Sequence, residues 1–208
     1  MMTHAMDNIT SLECSIGDGM EEGALTTATR SLAKLLRNAS GLATLRLKLD
    51  TVFDRALTSE DLLNAGGDSA SPLLAILAQQ KPWALLRKMT LTLVTDRYTL
   101  IEFLRVHHRT LRSLTLSRVA LVFREGEELE PGTWESTLVD MTRIMALEDL
   151  VLSRLGDVSR ADEGTVKRAR ILFDPDDPLW GGDLETYQAY HEKIVSSLLR
   201  KEIVGNLI

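Results

Sequence analysis

The feature that most restricts how this chain can fold is a six-residue spelling that returns five times. An apolar residue is followed by two others, an apolar residue, one other and an apolar residue. It reads Ile9-Thr-Ser-Leu12-Glu-Cys14, Leu42-Ala-Thr-Leu45-Arg-Leu47, Leu86-Arg-Lys-Met89-Thr-Leu91, Leu111-Arg-Ser-Leu114-Thr-Leu116 and Leu147-Glu-Asp-Leu150-Val-Leu152. The last two apolar positions of each spelling lie two residues apart, which puts them on one face of an extended strand. Cys14 fits the pattern because a buried thiol behaves as a small hydrophobe.

Helical periods fill the intervals. Ala24 to Asn38 carries Leu25, Ala28, Leu32, Leu35 and Leu36 on one face with Arg30, Lys34 and Arg37 opposite, an amphipathic helix by period. Ser71 and Pro72 are suited to cap and open a helix from Leu73 to Gln80, which Pro82 stops. After Asp96 as a cap, Leu100, Ile101, Phe103, Leu104 and His107 form the next apolar face. Gly132 or Thr133 caps a helix with Trp134, Leu138, Met141 and Met145 at core spacing.

Each of the last four spellings thus follows a helix by a few residues, which argues parallel strands joined by right-handed crossovers. The chain is expected to be α/β, a single leucine-rich-repeat domain over 1–208. Its strands are predicted near 9–15, 42–49, 86–93, 111–119 and 147–153, on the concave face of a solenoid whose helices form the convex face. The starts lie 33, 44, 25 and 36 residues apart. A repeat bearing an α-helix runs at about 20–29 residues, so the longer intervals need insertions, above all within Asp50 to Ser71. Val166-Lys-Arg-Ala169-Arg-Ile171 gives a weaker sixth match over 166–173, and a capping helix is expected from about 184 to 203. The competing architecture is a doubly wound sheet in an ordinary α/β domain.

Composition narrows the function. Of 208 residues 44% are hydrophobic but only 5% aromatic, so Leu, Ile, Val, Met and Ala must build the core. A net charge of −6 disfavours nucleic acid as the main partner. The charge is uneven: residues 81–118 hold eight basic against two acidic side chains, and residues 119–208 ten against eighteen. Such a basic middle can steer an acidic partner. The single cysteine excludes an intrachain disulfide and fits a reducing compartment. No apolar run is long enough to span a membrane and no secretory h-region opens the chain. An intracellular, cytoplasmic or nuclear location is expected. A chain that starts on a repeat strand lacks a cap, which predicts an upstream segment, a covering partner or a truncated reading of the gene.

The familiar catalytic spellings are missing: no G-x-S-x-G, no glycine-rich phosphate loop, no H-E-x-x-H. Neighbouring residues on a helix diverge by about 100°, so His107 and His108 cannot hold one metal from one face and are expected to divide into a packed and an exposed ring. Asp174, Asp176, Asp177 and Asp183 lack the glycine and closing glutamate of a calcium loop and read as a solvated turn. No catalytic residue, metal or cofactor is expected.

What remains is the face whose side chains alternate with the leucines. It comprises Ser11, Glu13 and Ser15, then Thr44, Arg46 and Lys48, then Lys88, Thr90 and Thr92, then Ser113, Thr115 and Ser117, and last Asp149, Val151 and Ser153. The partner-binding set is predicted to be Arg46, Lys48, Lys88, Thr90, Thr92, Ser113, Thr115, Ser117, Asp149 and Ser153, with Arg46, Lys48 and Lys88 as one basic spot. The expected function is a non-catalytic module that holds a protein or peptide on this face. Self-association through the uncapped first repeat is the alternative, and an α/β enzyme the alternative from another class.

Thr110-Leu-Arg-Ser-Leu-Thr-Leu116, led by Leu100-Ile-Glu-Phe-Leu-Arg-Val-His-His108, resembles the repeats of fungal leucine-rich-repeat proteins of the F-box-associated kind. Gly132-Thr-Trp134, before a helix ending in Ala146-Leu-Glu-Asp-Leu150, is similar to the next unit of the same proteins. The likeness spans roughly residues 9 to 155. It implies a substrate receptor whose F-box engages a Skp–cullin ubiquitin ligase while the repeats hold the substrate. No F-box segment is found before Ile9, so the partner-binding half of that function is the part expected here.

Overall fold

The computed structural model describes residues 8–15, 22–49, 72–79, 83–124, 133–160 and 166–172, together with 192, 193, 195, 196 and 199. Among these, the elements with described bounds follow in the order β1 (Ser11–Ser15), α1 (Glu22–Arg37), β2 (Thr44–Lys48), α2 (Pro72–Ala78), β3 (Lys88–Thr95), α3 (Arg97–His107), β4 (Ser113–Arg124), α4 (Trp134–Ile144), β5 (Asp149–Ser153), β6 (Leu155–Arg160) and β7 (Val166–Leu172). They form an α/β structure with one open sheet, ordered β1-β2-β3-β4-β6-β7, in which β5 also pairs with β4. Every pairing is parallel except β6 with β7.

The five spellings stand in one register. Leu12, Leu45, Met89, Leu114 and Leu150 form one cross-strand row, and Cys14, Leu47, Leu91, Leu116 and Leu152 the next. The entry to each strand repeats one hydrogen-bond arrangement. The carbonyl of Thr10 accepts from the amides of Ala43 and Thr44 at 2.8 and 3.0 Å. That of Ala43 accepts from Arg87 and Lys88, that of Arg87 from Arg112 and Ser113, and that of Arg112 from Glu148 and Asp149. In each case the second residue of a spelling holds the second and third of the next. Side chains repeat as well: Arg87 donates to the carbonyl of Thr110 at 3.0 Å, and Arg112 to that of Ala146 at 3.1 Å.

β5 and β6 act as one strand broken at Arg154. Ser117 pairs with Ser153 and Ala120 with Gly156, so the offset of 36 residues against β4 is unchanged across the break. Arg154 has φ 50°, and Arg118, at the corresponding place in β4, has φ 55°. Opposite Arg118 the register slips, so that Ser117 and Arg118 together face Thr92 of β3. An extra residue of this kind is a β-bulge, and it allows the strand to run on past the spelling.

One core lies between the inward strand residues and the helices. Leu45, Leu47, Met89, Leu91, Leu93, Leu114, Leu116 and Val119 are buried to within a percent or so of completely. Against them pack Ala33 and Leu36 of α1, Leu73, Leu74 and Leu77 of α2, Leu100, Phe103 and Leu104 of α3, and Trp134, Leu138 and Met141 of α4. α3 begins where Asp96 accepts the Thr99 amide at 2.8 Å, which satisfies one donor left open at a helix start. Arg97 of α3 and Asp140 of α4 are joined at 2.6 Å. The Trp83 indole N–H donates to the Leu36 carbonyl at 3.0 Å, tying the end of α1 to the approach of β3.

Several expectations need correction. The sixth spelling is a strand, β7, but it runs antiparallel to β6 rather than joining the parallel series. Among the described side chains of α1, Thr29, Ala33 and Leu36 are buried, Ala28 and Leu32 half-buried and Leu35 38% exposed, so Leu35 leaves the expected apolar face; the Leu25 side chain lies outside those described. Thr133 stands at the N-cap of α4 as expected, but its side chain makes no capping hydrogen bond; the Asp157 carboxylate takes the Trp134 amide instead. Within the capping helix expected over 184–203, residues 192, 193, 195, 196 and 199 are helical, and Val195 and Leu199 pack against the core. The expected insertion within 50–71 and the acidic turn at 174–183 lie outside the described residues.

Candidate open-face binding site

Alternation in the strands turns every second side chain away from the core. Register then places the ten predicted residues on one surface, in three rows across the strands. The first row is Ser11, Thr44, Lys88, Ser113 and Asp149; the second is Glu13, Arg46, Thr90, Thr115 and Val151. The third is Ser15, Lys48 and Thr92, continued by Ser117 and Ser153. All fifteen are exposed or half-buried. Val151, 41% exposed, is the one large apolar side chain among them.

Charge is distributed differently along the rows. In the first, the Ser113 hydroxyl donates to the Asp149 carboxylate at 2.8 Å, and Lys88 is exposed two strands away. In the second, Arg46 reaches the Glu13 carboxylate of β1 at 3.4 Å. The predicted basic spot is therefore weakened on one side, since Arg46 is already paired with Glu13. The third row has no acidic member of its own, and the half-buried Arg118 and Arg154 follow its Ser117 and Ser153 at the bulge and the break.

Arg118 and Arg154 were not among the residues expected in the site. Their signal is nonetheless in the chain: Leu116-Ser-Arg-Val119 returns as Leu152-Ser-Arg-Leu155. A left-handed residue is commonly announced by Gly or Asn, and here it is carried by arginine, which composition does not betray. Beyond the third row the same face closes. Val94, Ala120, Gly156 and Val158 are all buried, so the solvent-facing surface occupies the first half of the longer strands.

The two histidines divide. His107 is 1% exposed, stacked on Trp83 with ring centroids 4.8 Å apart and set edge-on to Phe103 at 5.2 Å. Neither of its ring nitrogens has a hydrogen-bond partner, and burial pushes the imidazole down to about 4. It is a neutral core residue. His108 is half-buried, with Nδ1 at 2.6 Å from the Arg105 carbonyl. Cys14 is half-buried and free, and burial raises its thiol above the ordinary value, the opposite of what a reactive thiolate requires.

Among the described residues no group of His, Cys, Asp and Glu is placed to hold a metal ion. A shallow apolar hollow is lined by Met141, Thr142, Met145, Leu147, Leu150 and Leu199. No described helix is long and apolar enough to cross a membrane. No family model, curated protein or solved structure matches the chain.

Proposed function

We propose that the chain is a leucine-rich-repeat solenoid and a non-catalytic interaction module, which receives a protein or peptide on its three open rows. The observation that carries this reading is the common register of five units, unbroken through their first two rows: fifteen alternate side chains from strands far apart in sequence are brought onto one surface. Repeat arrays use such continuous surfaces for binding. Hydroxyls of Thr90, Thr92, Thr115, Ser117 and Ser153 supply short, adaptable donors and acceptors, and Val151 offers an apolar contact. On this reading the strands line the concave side, the helices the convex side, and the protein works inside the cell. By the resemblance to F-box-associated proteins, the partner would be the substrate of a ubiquitin ligase.

The test fills the surface without altering charge. Thr90→Trp with Thr115→Trp puts two large rings in the second row, while Tyr98→Ala changes an exposed position on α3. Quantitative cross-linking in cells should show partners lost from the first protein and kept by the second. Equal partner sets for both would defeat the reading.

A second reading has its own observation. Ile9, Leu12 and Cys14 are only partly buried, whereas Leu42, Leu45 and Leu47 in the next unit are closed off from solvent. Self-association through β1 would cover them. Light scattering over a concentration series distinguishes the two, since a dimer persisting at nanomolar concentration supports self-association.

A further inference from the structure

The turns that lead into β2, β3 and β4 are tied together at the strand-entry edge of the sheet. The Leu36 carbonyl near the end of α1 takes the Trp83 indole N–H at 3.0 Å. The Trp83 ring in turn stacks on His107, the last residue of α3, at 4.8 Å. These three anchors are buried, and the residues that follow them come to the surface: Arg37 after Leu36, Leu85 after Trp83 and Arg109 after His107, all exposed. Exposed Arg87 joins them, its guanidinium reaching the Thr110 carbonyl beside Arg109 at 3.0 Å.

Three arginines thus surround one exposed leucine. A carbonyl is a neutral partner, so Arg87 keeps its charge, and no described carboxylate lies within ion-pair distance of Arg37, Arg87 or Arg109. Glu102 of α3 and Glu148 before β5 are held by Arg105 and Arg112 instead. The helix macrodipole favours a cation at or just past a helix C-terminus, which accounts for Arg37 and Arg109. It accounts neither for Arg87, at a strand entry, nor for Leu85, 53% exposed in the middle turn. That turn is fixed by the Trp83 anchor and by the Leu86 amide, which donates to the Trp83 carbonyl at 3.2 Å, so little ordering is left for a partner to impose.

We infer that the rim formed by Arg37, Leu85, Arg87 and Arg109 docks an acidic peptide segment with an apolar side chain among its carboxylates. The rim borders the open face and does not rest on that reading. From β2 to β4 it crosses two strand spacings, about 10 Å, the length of about three extended residues. Such a segment can set carboxylates on both sides of one apolar side chain, as the arginines stand on both sides of Leu85. Guanidinium groups take carboxylates in paired hydrogen bonds, and Leu85 gives the apolar side chain its contact.

The probe is a fluorescein-labelled heptapeptide of six glutamates around a central leucine, bound to the full chain at low salt and followed by fluorescence anisotropy. A counterpart with serine at its centre and a twelve-residue oligodeoxythymidylate serve as comparisons. Arg37→Gln with Arg109→Gln changes two exposed side chains, and circular dichroism verifies the fold. The leucine peptide should bind more tightly than the serine peptide, and should weaken about fivefold or more in the double variant and with added salt. Leu85→Ser should erase the difference between the two peptides, while Thr90→Trp with Thr115→Trp should leave binding unchanged. Absent binding, no preference for leucine, binding unchanged in the double variant, or equally tight binding of the oligonucleotide would each overturn the inference. Loss of binding in the tryptophan variant would overturn it too, by moving the peptide to the open rows.

Discussion

The carboxylate of Asp157 accepts the backbone N–H of Trp134 at 3.0 Å, and the Trp134 indole donates to the carbonyl of Gly156 at 3.0 Å. A strand residue thus caps a helix that precedes it in the chain, and the helix's first side chain is pinned to the same strand. Asp157→Ala should lower stability by about 1–2 kcal/mol, the usual effect of losing a cap. Asp157→Asn keeps an acceptor oxygen and should recover most of it. Urea unfolding of the three proteins checks the order.

His107 makes stability depend on acidity. Its folded value, about 4, lies below the ordinary value near 6.5, so on acidification the unfolded chain takes up a proton first. Stability should be level above about pH 6.5 and fall through the window from there to about 4, by about 3 kcal/mol in total. His107→Phe keeps a ring against Trp83 and should remove this contribution. Denaturation at pH 7 and pH 4.5 gives the comparison.

Burial differs between the middle and the start of the array. Leu114 is fully buried, and Leu12, in the same cross-strand row, is only partly so. Leu114→Ala should cost about 2–5 kcal/mol, and Leu12→Ala about 1 kcal/mol or less, since half-exposed apolar surface contributes little. Equal losses would mean that β1 is covered as fully as the central strands.

At the two left-handed arginines, glycine should stabilise by up to about 1 kcal/mol per site, the relief of the positive φ outweighing the added freedom of the unfolded chain. Arg118→Val should instead destabilise, because a β-branched residue tolerates that conformation worst. Melting temperatures of the two variants check the sign.

The readable part of this structure follows from geometry that a local pattern can encode. Apolar residues spaced three and then two apart must point inward from a strand, so the starts of β1 to β5 and the face of α3 were legible. Legible too was the outward set from Ser11 to Ser153. The direction of β7 was not, because Val166 to Ile171 spells the same alternation whichever way its neighbour runs. Nor was β6: the break at Arg154 sits in Ser-Arg, without the glycine or asparagine that marks a turn. The cap on α4 joins residues 23 apart in the chain, and a local reading reaches only to Thr133. The pairing of Glu13 with Arg46, which weakens the predicted basic spot, spans 33 residues and depends on register alone.

At every unit boundary one carbonyl serves two amides of the following strand, whatever the chain does in between. Crossovers of quite different length are fastened by the same pair of bonds, so the spacing of the wall does not record how much polypeptide has looped away from it. Lengthening such a loop costs little, as closure entropy rises only with the logarithm of its size. The backs of the units are therefore free to diverge or take on new segments while the open face keeps its pitch, and change in one need not disturb the other.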